Sequence, residues 1–441
     1  MLKSLLSRWF SEYGMIFVLA LLCVFFSVVT VSEQSPSGEG AAKQLAGLIQ
    51  SQFGSKPRVL IVVRDQPEEL AFAAALEREI SAAGGQVLGN VKGEPRDARE
   101  VLVKLSAANA SLDTIACTQP VSAWLVFADL EKDFPALGNP RLLKPVPYRW
   151  PNFLKAENLL NITNQIAVIA IVAIGMTMVI ITGGIDLSVG SLIALAAVLA
   201  TLLIREFGGS LQASAFSMTC ACLVAITACG CVGAFSGAMI TIFRIPPFIV
   251  TLAMMLVASG LAYILAQGQS VYQIPDSFVW LGRGADVLGI PNAVLLMLVL
   301  YGAAHVLMSK MRLGRYIYAV GGNREAARLS GVRVERVLMF AYVASALVAG
   351  LGGVIMASQL KSGSPTYGSM YELYVIAAVV VGGASLSGGQ GKMLGTLIGA
   401  FTIAVIQNGM NLTNVESYTQ KVVLGLVILA AVLIDTVRHR K

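Results

Sequence analysis

The chain has 441 residues, of which 56% are hydrophobic and 13% charged, with a mean hydropathy of +0.74. Soluble domains carry about 25% charged residues, so this composition excludes a mainly water-exposed protein and places most of the chain in lipid. The net charge of +7 does not point to nucleic acid, because the excess cations flank apolar runs, where they set membrane orientation.

The first apolar run is 13–32, preceded by Lys3 and Arg8. It is long enough to cross a bilayer, which takes about 20 residues, and is read as an anchor. Its end, VVTVSEQS, leaves a cleaved signal peptide as the alternative.

Residues 33–157 differ in character, with 14 Lys/Arg and 15 Asp/Glu, a nearly neutral soluble block. Strands are expected at 57–63, 86–91 and 112–118, alternating with helices at 67–85, 94–110 and 121–134. Such alternation predicts a small parallel α/β layer, like one lobe of a periplasmic sugar-binding protein or a degenerate flavodoxin-like half. VVRDQPEE after the first strand holds no glycine-rich phosphate loop. The block is either a docking or spacer domain or a ligand sensor. The stretch 137–153 is rich in proline and is expected to be an extended linker.

Nine more apolar runs follow, at 158–185, 187–204, 207–243, 245–275, 287–309, 337–360, 374–391, 393–415 and 422–434. The expected fold is therefore an all-α polytopic membrane protein of about ten transmembrane helices, carrying an inserted α/β domain. Its parts are a first helix (1–32), the insertion and linker (33–157) and a bundle (158–441). Cations cluster in 309–336 (Lys310, Arg312, Arg315, Arg324, Arg328, Arg333, Arg336) and at the end (Arg438, Arg440, Lys441). The positive-inside rule places both clusters and the N-terminus in the cytoplasm. Ten crossings satisfy that parity, and residues 33–157 then lie outside the cytoplasm.

Residues 183–190 (GGIDLSVG) and 382–389 (GGASLSGG) agree at five of eight positions. Paired glycine interruptions of apolar segments point to a transport path. Equally, Gly183, Gly184, Gly382 and Gly383, like Gly233-xxx-Gly237 and Gly395-xxx-Gly399, could simply let helices turn or pack. Ser188 and Ser387 occupy matching places. Asp186 either caps the helix that follows or serves the path. Asn408, with Gln407 and Asn411, could bind hydroxyls or bridge helices.

The letters LSGGQ (386–390) imitate the signature of transport ATPases, but a phosphate cradle is missing. Around Gly391-Lys392, Leu386 replaces the first glycine and Met393 the Mg²⁺-binding hydroxyl. Two histidines, no H-E-x-x-H and no G-x-S-x-G leave no enzyme class supported. The CxC pairs at Cys220/Cys222 and Cys229/Cys231 point to different faces of a helix, so they read as packing residues and no metal is expected. In the cytoplasmic loop, Asn323 is a credible N-cap for a short helix with Glu325 in its first turn, poised to dock a partner.

The stretches MTMVIITGGIDLSVGSLIAL, IPPFIVTLAMM, LGRYIYAVGGNREAARLSGV and YELYVIAAVVVGGASLSGGQGKMLGTLIGA resemble the ribose/galactose-type sugar permeases of bacterial ABC importers. The resemblance spans 158–437 almost continuously. It implies an inner-membrane homodimer without its own ATPase site, served by an ABC ATPase that binds ATP and Mg, and by a periplasmic binding protein. It implies that Glu325, Ala326, Ala327 and Gly331 couple to that ATPase. The implied substrate is a monosaccharide such as ribose, galactose or xylose. A purine-nucleoside or autoinducer permease and a membrane-anchored receptor are the alternatives. The long block at 33–157 departs from the family pattern.

Overall fold

The structure, a computed structural model, describes residues 2–439 apart from Ser37 and Ser55, without the side chains of 2–13, 434, 435 and 437–439. Lys3, Arg8, Asp435 and the three C-terminal cations thus lie outside the described side chains. The chain forms two compact units, one of residues 31–151 and one of the residues on either side. Helix α1 (Leu2–Val29) belongs to the second.

The 31–151 unit begins with β1 (Val31–Gln34) and closes with β6 (Tyr148–Pro151), which pair antiparallel, so its two ends meet. Between them run α2 (Gly38–Phe53), β2 (Arg58–Val63), α3 (Pro67–Ala82), β3 (Gln86–Lys92), α4 (Pro95–Ala107), β4 (Thr114–Cys117), α5 (Gln119–Ser122), α6 (Leu130–Asp133) and β5 (Arg141–Leu143). The sheet order is β3-β2-β4-β5, all parallel. Strand β2 is buried on both faces, as central parallel strands are. Val59, Ile61 and Val63 meet Leu45, Ile49, Phe72 and Leu76 on one side. Leu60 and Val62 meet Leu102 and Ile115 on the other.

Two expectations fail here. The helix expected over 121–134 breaks into α5, a 3-10 turn at Leu125–Phe127, and α6. Trp124 takes an extended conformation (ψ 133°) and Asp129 leaves the helical region (φ −129°), which lets Phe127, Leu130 and Phe134 each drop into the core. Helix α2 was not anticipated. Gly40 and Gly47 weaken its local signal, yet Ala42, Leu45, Ala46 and Ile49 form a helical stripe that the sheet buries.

The second unit continues with α7 (Ala156–Ile181), α8 (Val189–Glu206), α9 (Ala215–Thr241), α10 (Pro247–Leu265), α11 (Trp280–Arg283), α12 (Asn292–Lys310), α13 (Arg312–Gly322), α14 (Arg324–Leu329), α15 (Val334–Leu360), α16 (Tyr371–Val381), α17 (Met393–Leu412) and α18 (Ser417–His439). Seven of these, α7, α8, α9, α10, α12, α15 and α17, are long and apolar enough to cross a membrane. Three shorter apolar helical stretches lie at Gly14–Val29, α16 and Ser417–Leu433. The runs expected as spans over 158–185 and 374–391 are helical only to Ile181 and Val381.

Helix α7 is the innermost, with 89% of its apolar window buried, against 28% for α9 and α10, which face outward. Lipid supplies no hydrophobic drive for helix association, so close packing of small residues must provide it. Gly233 lies against Tyr342 O and Ala346, and Gly237 against Met339, seating α9 on α15. Gly353 packs against Ile193 O of α8, and Gly399 against Ala378 O of α16. A methyl group at any of these positions would collide with its neighbour.

Candidate functional site

Helices α7 and α16 end in the same way. After α7, Gly183 has φ +75°, its amide bonds Ile180 O (2.9 Å), and Gly184 N bonds Val179 O (3.0 Å). After α16, Gly383 has φ +89°, its amide bonds Val380 O (2.9 Å), and Ala384 N bonds Val379 O (3.1 Å). Both are left-handed helix stops, which favour glycine because a Cβ is penalised there. The conformational match is therefore one residue out of step with the sequence match. Gly183 corresponds to Gly383, while Gly382 still has helical dihedrals.

The two ends touch. The turn Ser385–Gln390 closes through Ser385 N to Gln390 O (3.1 Å) and Gly388 N to Ser385 O (3.0 Å). It then donates Gly389 N to Ile181 O, the last carbonyl of α7, at 2.8 Å. A Cβ on Gly388 would stand 3.1 Å from Gly183 N. Ser387 is exposed in this turn, beside Gly183.

A third segment completes the junction. Gly321, near the end of α13, lies against Ile181 O and Gly389 N. Arg324 Nη2 donates to Thr182 O at 3.1 Å, and Tyr318 Oη donates to Gly391 O at 2.7 Å. Through Arg324 and Tyr318, α13 and α14 are thus hydrogen-bonded to the end of α7 and to the loop between α16 and α17.

Helix α14 begins as expected, with Asn323 Oδ1 accepting from Ala326 N at 2.9 Å. It ends at Gly331 (φ +83°), where Val332 N bonds Ala327 O. Ala327 is buried, whereas Glu325 and Ala326 are exposed and Leu329 is 89% exposed. Arg328 pairs with Glu325 (3.3 Å) and Glu335 (3.1 Å), which ties α14 to the start of α15.

Asp186 sits just inside the junction, 2% exposed. Its Oδ1 accepts from Ser188 N (3.0 Å) and Ser188 Oγ (2.6 Å), and its Oδ2 accepts from Ser345 Oγ (2.8 Å) on α15. It holds the start of α8 and clamps it to α15. Gly184 packs against the ring of Tyr342, whose buried hydroxyl has no hydrogen-bond partner among the described residues.

Asn408 is elsewhere. It exchanges both amide bonds with Asn158 (2.9 and 3.1 Å), bridging α17 to α7. It stands 15 residues beyond the start of α17, about 22 Å from the junction at 1.5 Å per residue. Sequence reading missed Tyr318, Gly321, Arg324 and Ser345. The basic character of Arg324 was its only signal, and that signal reads equally as topology.

Long apolar helices packed through small residues define a polytopic membrane protein. Residues 158–432 match the family described as branched-chain amino acid transport system / permease component, and the chain belongs to it. The chain is 43% identical over 293 residues to the ribose import permease protein RbsC of Escherichia coli (strain K12), covering 65% of this chain and 87% of that protein. RbsC of Bacillus subtilis (strain 168) is 42% identical over 287 residues, covering 65% of this chain and 86% of that protein. The D-allose transport system permease protein AlsC of E. coli (strain K12) is 34% identical over 283 residues, 64% of this chain and 84% of that protein. No solved structure matches the chain.

Proposed function

We propose that the chain is the membrane-spanning permease subunit of an ATP-driven importer for a monosaccharide such as ribose, galactose or xylose. The observation that carries this is the junction, in which α13 and α14 are hydrogen-bonded to the end of α7 and to the loop between α16 and α17. The names of the relatives supply the substrate class.

In this reading ten helices cross the bacterial inner membrane, both termini are cytoplasmic, and residues 33–157 lie outside the cytoplasm. The chain works as a homodimer in lipid. A periplasmic binding protein delivers sugar, and a separate ABC ATPase binds ATP and Mg. That ATPase docks on the exposed side of α14, at Glu325, Ala326 and Leu329. Its closure shifts α14, and Arg324, Gly321 and Tyr318 carry the shift to the helix ends. Gly183 and Gly383 form hinges there, because left-handed stops terminate a helix without stiffening the chain beyond it. Asp186 and Ser345 keep the start of α8 moving with α15.

The family's description as a branched-chain amino acid permease component favours a second reading, an amino-acid permease. Uptake by proteoliposomes holding permease, ATPase and binding protein separates the two. D-ribose, D-galactose, D-xylose and L-leucine would be compared. ATP-dependent entry of a sugar supports the proposal, and entry of leucine alone refutes it.

A further inference from the structure

At the end of the bundle opposite the glycine turns lies a cavity of about 250 Å³ between α7, α15, α16 and α17. Three glutamines line it from three helices, Gln165 on α7, Gln359 on α15 and Gln407 on α17, together with Tyr371 at the start of α16. Ile166 and Met356 form part of the apolar wall, and no charged side chain lines the cavity.

Glutamines in a helix bundle usually bridge helices. These do not bridge one another. Gln359 Nε2 donates to Asn164 O (3.0 Å) and Asn164 Oδ1 (3.3 Å), which fixes that side chain at the wall. Among the described residues, Gln165 and Gln407 have no hydrogen-bond partner. The neighbouring amides are spoken for, with Asn408 paired to Asn158 and Asn411 Oδ1 accepting from Gln420 Nε2 (2.8 Å). Gln407 alone of that cluster is left to face the cavity.

From this geometry, and resting on the permease reading above, we infer that the cavity is the transient substrate site and that it takes one neutral sugar ring. Each glutamine amide offers a donor and an acceptor, the same pair that each sugar hydroxyl presents. Tyr371, Ile166 and Met356 supply the apolar surface that a ring's C–H face covers. At about 30 Å³ per water, the cavity has room for roughly eight waters, enough to hold one sugar ring. A zwitterionic amino acid or a sugar phosphate would bring charges that no charged side chain in the lining pairs.

The test uses proteoliposomes holding the full importer, with permease variants Gln165→Ala and Gln407→Ala and tritiated D-ribose as the probe. ATP hydrolysis stimulated by loaded binding protein is read alongside as a measure of folding and coupling. Both variants are expected to lower ribose import about tenfold while stimulated hydrolysis stays within about twofold of wild type, because the substitutions remove hydroxyl partners and leave the junction intact. Import unchanged in both variants overturns the site assignment. Wild-type import of L-leucine at a rate matching ribose overturns the neutral-ligand assignment. Failure of wild-type permease to import any sugar overturns the permease reading itself, and the inference with it.

Discussion

Removing the Asp186 carboxyl is the sharpest perturbation of the packing argument. The group accepts three hydrogen bonds, two from Ser188 and one from Ser345, in a site that is 2% exposed. In Asp186→Ala, the Ser188 amide at the start of α8 and the Ser345 hydroxyl on α15 lose their acceptor in a dry interior. Each buried group left unsatisfied costs about 1–3 kcal/mol, so losing the acceptor of these two should cost roughly 2–6 kcal/mol. At about 2–4 °C per kcal/mol for a large unit, the melting temperature in detergent should fall by at least roughly 4 °C, and by up to about 24 °C. Tyr342→Phe is the control, since the deleted hydroxyl has no partner among the described residues and its loss should not destabilise. A melting temperature for Asp186→Ala within about 1 °C of wild type would refute the clamp between α8 and α15.

Three further outcomes follow from the geometry. Gly321→Ala puts a methyl group against Ile181 O and 2.6 Å from Gly389 N, so ATP-driven import should fall at least roughly tenfold, the equivalent of about 1.4 kcal/mol; Gly322→Ala, which meets nothing within 4 Å, should import normally. Leu329→Asp alters a side chain that is 89% exposed; pull-down should show ATPase retention reduced roughly thirtyfold, as for loss of about 2 kcal/mol at an interface anchor, with no change in melting. In the 31–151 unit, the Arg58 guanidinium beside Asp113 (3.0 Å) holds that carboxyl below its ordinary value of 3.8. A depressed carboxyl stabilises the fold above its unfolded pKa, and that stability is lost as pH falls through the lower folded value. Acid unfolding of this unit, followed by circular dichroism, should therefore steepen below about pH 4, and Asp113→Asn should flatten that dependence.

Hydropathy located every apolar helix of the bundle, because crossing a bilayer constrains composition over a whole segment. Local chemistry located the start of α14, since an Asn cap followed by an acidic first turn is a short-range signal. Signals failed where the fold decides. Nothing near Gly321 announces that it will lie against residues 181 and 389, and nothing in the letters separates Gln407 from Asn408. Only the presence of Asn158 opposite Asn408 does so. The glycine repeat drew attention to two segments that the fold brings into contact, yet its register was one residue out, because the left-handed stop selects the glycine by its position after the helix rather than by its neighbours. In the 31–151 unit, burial of the apolar stripe recruited a helix that Gly40 and Gly47 hide from propensity.

The proposed function divides the work: this chain transports and a separate subunit hydrolyses ATP. It is tested most directly by measuring phosphate release and D-ribose entry in the same proteoliposomes, first with the purified chain alone and then with an ABC ATPase and a binding protein added. Background hydrolysis and no ATP-driven entry are expected for the chain alone, and ATP-dependent ribose accumulation once both partners are present. Hydrolysis by the chain alone, or no accumulation with both partners bound, would contradict it.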